Sequence, residues 1–193
     1  MLKKLFVNFS ELKEDQCIKL INSYDQNINK HHQINSKEIF IIGNLMLIIG
    51  WLIFNACAVM FTQYEYGKGF SEQFYNDIKH SPQHAVIVSI LSSSFSVISA
   101  YLFYKQFPVD EEQSPSDKCI TVVNASRAGL VMITGVCDNV SIYAACIIGA
   151  YAGIFYLKVR QVFIRNNIDD PMQSAQIHGL CGFMGVLNTG LFG

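Results

Sequence analysis

The chain is 193 residues long, and 51% of these are hydrophobic against only 15% charged, with a mean hydropathy of +0.27. That balance points away from a soluble domain, because it produces uncharged runs of about 18 to 26 residues, each long enough to cross a bilayer. A net charge of -1 offers no basic field for nucleic acid, and six scattered cysteines without a Cys-x-x-Cys pair indicate packing residues, not a disulfide or metal framework.

Residues 1–38 read as a polar cytoplasmic arm, rich in Lys and Asn, with one weakly amphipathic stretch from Leu2 to Tyr24. The arm lacks the continuous apolar core of a secretion signal, and Glu11, Glu14 and Asp15 do not suit an acid-poor transit peptide. His31 and His32 are adjacent, so their side chains point apart, and no third ligand accompanies them to make a metal site. Residues 39–193 read as a transmembrane domain of about five spans, near 39–61, 85–105, 119–137, 140–158 and 171–193. The expected fold class is therefore an all-α, polytopic transmembrane helical bundle.

In the first uncharged run, Ile39 to Tyr64, the residues Leu47, Trp51 and Phe54 recur at i, i+4 and i+7 and share one helix face. Thr62 to His84 is a polar connection. His80 and His84 have helical spacing, but Pro82 stands between them, so both read as exposed loop residues. The second run, Ala85 to Tyr104, carries six serines whose hydroxyls can bond back to their own helix and let neighbours pack closely.

An acidic, Pro-containing loop follows, and then a third span from Cys119 to Cys137 is interrupted by Arg127. An arginine at that depth is costly in lipid, so this span has to be enclosed by protein, partly outside the membrane, or paired. The fourth run, Val140 to Leu157, places Gly149 and Gly153 at GxxxG spacing.

The last span opens with Asp169, Asp170 and Pro171. Carboxylates are favoured at a helix N-terminus, and proline there sacrifices no hydrogen bond. No formal charge follows Pro171 to the end of the chain, so His178 lies about 12 Å into an apolar slab, where an imidazole should face protein or a pore. Ser174 precedes it by one turn. Gly179, Gly182 and Gly185 recur every third residue and form a groove that another backbone can approach.

Read together, "DDP", six intervening residues, "HGLCGFMG" and "NTGLFG" resemble the ammonium transporter family, in its Amt branch, at the start of the tenth transmembrane helix. "IGWLIFN", Ile49 to Asn55, resembles the family's sixth helix, and "NASRAGLVMITGVCDNVS" its eighth, with Asn124, Gly129, Thr134 and Cys137 in matching places. Arg127 is not part of the eighth-helix pattern, and Cys57-Ala58 stand where the family usually has Gly-Ser or Pro-Gly. The resemblance implies half of the ammonium transporter fold, helices six to ten. His178 would be the second of two pore histidines, Phe54 one of two stacked gate rings, and Leu47, Trp51 and Ser174 lining residues, supported by the motif residues Asn55, Asn124, Thr134, Asp169, Asp170, Pro171, Gly179 and Gly182.

The implied function is transmembrane transport of ammonium or ammonia by a partial transporter, with no cofactor and no enzymatic chemistry. The implied setting is a lipid bilayer, the plasma membrane, and a homotrimer of the full-length protein. Eleven of the fourteen basic residues fall on one side of five alternating spans, which predicts a cytoplasmic N-terminus. A different reading, a degenerate, non-transporting structural subunit of a larger membrane complex, is suggested by Arg127, by Ala58 and by the partial match. If the helices pack as in the family, Phe54 and His178 face a common cavity and a large apolar surface lies uncovered beside His178.

Overall fold

Long apolar segments dictate helices here, because a backbone in lipid has to satisfy its own hydrogen bonds. The computed structural model describes residues 37–65, 81–107, 115–170 and 172–192. Helix α1 is Lys37–Glu65, α2 is Pro82–Phe103 with a 3-10 turn Tyr104–Gln106, and α3 is Pro115–Ile133 tightened at its end into a 3-10 turn Thr134–Val136. Helix α4 is Ile142–Arg165, and a π-helical segment, Ala175–Cys181, runs without a break into α5, Gly182–Phe192. The protein is a polytopic, all-α membrane bundle. Stretches able to cross a bilayer run Glu38–Phe61, Pro82–Gln106, Lys118–Val136 and Ile142–Arg165. The arm through residue 36, with Leu2–Tyr24, His31 and His32, lies outside the described residues, as do His80, the acidic loop at 108–114 and Pro171.

Local chemistry sets the helix starts. Ser81 caps α2, its hydroxyl accepting the His84 backbone N–H at 3.1 Å, and Pro82 takes the first helical turn, where its missing N–H costs nothing. This corrects the expectation that His84 is an exposed loop residue. Pro82 begins a helix instead of interrupting one, so His84 turns inward, is buried, and its Nε2–H donates to the Val140 carbonyl at 2.8 Å. Ser141 caps α4 in the same way, accepting from the Ala144 N–H at 3.3 Å.

The core is a close three-helix contact of α2, α3 and α4. Lipid tails are as apolar as side chains, so membrane helices associate through tight packing and hydrogen bonds, which small residues permit. A Cβ at Gly129 would stand 2.7 Å from the Ser92 carbonyl oxygen, and one at Gly149 would stand 2.7 Å from the Ser92 Cα, so only glycine fits at both positions. At this distance hydroxyls can cross between helices. Ser92 Oγ donates to the Gly129 carbonyl at 2.9 Å and Ser96 Oγ to the Ala125 carbonyl at 2.6 Å, both on α3, whereas Ser99 bonds back within α2 to the Ser96 carbonyl at 3.0 Å. The serines thus divide between joining two helices and the local bond expected of them.

Helix α1 is different: it lies against this core along a narrow strip. Asn55, fully buried, donates from Nδ2 to Ser89 Oγ at 2.8 Å, and Val59 packs in the core, while most of the other large apolar residues of α1 are uncovered. Helix α3 is the enclosed one, with Ala125, Ala128, Leu130, Met132 and Ile133 all buried.

Candidate functional site

A single hydroxyl organises the junction between α1, α3 and the π segment. Thr134 Oγ1 accepts the Trp51 indole Nε1–H at 2.8 Å and donates in turn to the Leu130 carbonyl at 2.8 Å. The indole is thereby tied to the end of α3 and cannot rotate freely about its own helix. Its ring stacks on the His178 imidazole with centroids 5.5 Å apart and planes 28° from parallel. Phe54, one turn further along α1, meets the same indole at 6.0 Å and 59°. Phe54, Trp51 and His178 therefore form a row of rings, at the distances where aromatic pairs attract.

This row borders the uncovered side of α1. Phe54 is 57% exposed and Leu47 49%, and His178 and Ser174 are exposed as well. The glycines of the His178 helix divide accordingly. A Cβ at Gly185 would meet the Val131 carbonyl oxygen at 3.0 Å and one at Gly182 would meet Val131 Cγ1 at 3.7 Å, so both abut α3, whereas Gly179 has open space beside it.

The entry into the π segment around His178 is held by Asp170. Its Oδ1 accepts the Ser174 N–H at 2.9 Å, its Oδ2 the Gln176 N–H at 3.2 Å, and its backbone carbonyl the Gln173 N–H at 2.9 Å. One carboxylate thus satisfies donors that an ordinary helix start leaves unpaired. Gln173 has a left-handed backbone, with φ at 53°, which turns the chain into the segment. Such wide turns concentrate at functional positions. Asp169, beside it, is exposed.

Gln173 also carries a contact that the sequence did not reveal. Its Oε1 accepts from Asn124 Nδ2 at 2.8 Å and from the Tyr156 hydroxyl, and Arg127 Nη2 donates to Asn124 Oδ1. The arginine of the third span is thus held in a polar chain linking α3, α4 and the start of the π segment. Asn124, expected only as a motif residue, is the hub of that chain. The clue in the sequence was Asn124 and Arg127 at i, i+3, but their partners lie 49 residues onward at Gln173 and on α4. Among the described residues, no three His, Cys, Asp or Glu side chains gather as metal ligands.

The family model of the Ammonium Transporter Family matches residues 19–193. Ammonium transporter 1 member 4 of Arabidopsis thaliana is 27% identical over 158 residues, which cover 82% of this chain and 30% of the relative. Ammonium transporter 1 member 2 of Oryza sativa subsp. japonica is 28% identical over 158 residues, with the same coverage. A putative ammonium transporter, sll1017, of Synechocystis sp. is 28% identical over 152 residues, covering 78% of this chain and 31% of the relative. The chain spans about 30% of the length of these curated relatives. No solved structure matches.

Proposed function

We propose that this chain, which belongs to the ammonium transporter family, supplies one wall of a transmembrane path for ammonia. The observation that carries this reading is the Trp51–His178 stack, pinned by Thr134 on the uncovered side of the bundle. An apolar path disfavours a bare ion, because shedding water there has little compensation. Ammonia is small and neutral, and a neutral imidazole can hydrogen-bond it in passage. In this reading the stacked indole limits rotation of the His178 ring and leaves a ring nitrogen to meet the solute. Phe54, a turn away, narrows the way in, and Leu47 and Ser174 continue the lining.

In this reading α1 is bare because it is the lining helix, and the opposite wall would be a further packed element. The distribution of basic residues favours a cytoplasmic N-terminus, and the names of the relatives favour ammonium as substrate. A homotrimer in the plasma membrane is the assembly we propose for the full-length protein. The test is methylammonium uptake by the full-length protein, as wild type, His178→Ala and Cys181→Ala at matched surface expression. His178→Ala should change uptake markedly and Cys181→Ala much less. Equal uptake in all three would leave His178 with a packing role only.

A further inference from the structure

Arg127 is only 8% exposed, in a span that the membrane surrounds. Its Nη2 donates to the neutral amide oxygen of Asn124, and its Nε has no partner among the described residues. The face of α3 that carries it fronts the His178 helix from end to end. Asn124 reaches Gln173, Val131 abuts Gly182 and Gly185, and Thr134 holds the indole stacked on His178. Arg127 lies between these contacts, one turn from Asn124 and two turns from Thr134 along the same face. Through Asn124 and Gln173 its guanidinium is joined to the start of the π segment that carries His178, and to Tyr156. Arg160, buried on α4, adds a second positive charge near Tyr156. The carboxylate of Asp170 has both oxygens engaged by backbone N–H groups at the start of the π segment.

We infer that Arg127 is a specificity-determining residue: a fixed positive charge beside the path that excludes ammonium and the proton, so that the protein moves neutral ammonia without net charge. This rests on the transport reading above. In a low-dielectric surrounding, repulsion between like charges is little screened, and a positive side chain near a pore is a general means of barring cations. Ammonia, which carries only a dipole, passes the same charge with little penalty. A proton relayed through His178 would place a second positive charge within the field of the first, so the relay is opposed along with the cation.

The experiment uses the full-length protein in proteoliposomes and records two signals from one preparation: methylammonium uptake, and the transient current after an ammonium concentration jump. Wild type should take up substrate with no current above protein-free liposomes. Arg127→Gln, or Arg127→Met if that is the variant recovered folded, should keep uptake and gain a current. Arg127→Lys, which retains the charge, should stay silent electrically. A merely structural arginine would change the amount of uptake but not the ratio of charge to substrate. Wild-type uptake accompanied by current overturns the inference and leaves the transport reading intact, and this result needs no variant to fold. Uptake without current in both wild type and the neutral variant removes Arg127 as the cause. No uptake by wild type defeats the transport reading, and the inference with it.

Discussion

Replacing Thr134 with valine removes one oxygen, keeps the shape, and tests whether the indole is truly anchored to α3. The hydroxyl accepts from Trp51 at 2.8 Å and donates to a helix carbonyl at 2.8 Å. The second bond adds little, since that carbonyl also belongs to the backbone ladder of α3. The first is an interhelical bond. Bonds of this kind in membranes average about 0.6 kcal/mol, while an orphaned buried donor costs about 1–3 kcal/mol. Trp51 is only half buried, so the penalty should fall near the lower bound, about 1 kcal/mol. For a chain of this size that corresponds to a fall in melting temperature of roughly 2–4 °C. Thermal unfolding in detergent of wild type, Thr134→Val, Trp51→Phe and the double variant would isolate the pair. Trp51→Phe should cost about 1 kcal/mol less once Thr134→Val is present, and what remains is the loss of the indole's ring contacts with His178 and Phe54. Costs that add to within about 0.3 kcal/mol would refute the anchor, since independent residues behave that way.

Three further outcomes are expected. Gly149→Ala should destabilise the bundle by about 1–3 kcal/mol, because the new methyl group meets the Ser92 backbone, which cannot rotate away; Gly179→Ala, with open space beside it, should be neutral or up to about 1 kcal/mol stabilising, and melting curves of the pair decide the matter. Asp170→Ala should cost about 1 kcal/mol and speed hydrogen exchange at the Ser174 and Gln176 amides, and exchange unchanged at those two sites would contradict the cap. His84→Leu should cost about 1–3 kcal/mol by leaving the Val140 carbonyl without its donor, with His84→Gln recovering part of the loss; equal melting temperatures for these two variants would argue against that bond.

What the sequence could convey depended on how far apart the interacting residues lie. Uncharged length reports a span directly, because bilayer thickness fixes it, and the spacing of Leu47, Trp51 and Phe54 reports a shared face, because helix geometry fixes that. Neither reports what the face meets. Trp51 and Thr134 are 83 residues apart and His84 and Val140 are 56 apart, so no periodicity joins them. The serines of α2 show the same limit within one element: the approach of Gly129 and Gly149 lets Ser92 reach across to α3, while Ser99 stays local, and a hydroxyl alone carries no sign of which it will do.

Arg127 makes the argument in the other direction. From the sequence, a charge in an apolar span demanded enclosure, partial exposure to water or a partner, and these three options were open. The fold enclosed it and gave it the amide of Asn124, yet an amide supplies hydrogen bonding without neutralising charge. A buried guanidinium with no acidic partner among the described residues costs stability, and apolar replacement of buried ionic groups is often neutral or stabilising. If Arg127→Met melts at or above the wild type, the arginine is not there to hold the bundle together. Its position on the face that fronts His178 would then need a reason in conduction, and the paired uptake and current measurement is where that reason would appear.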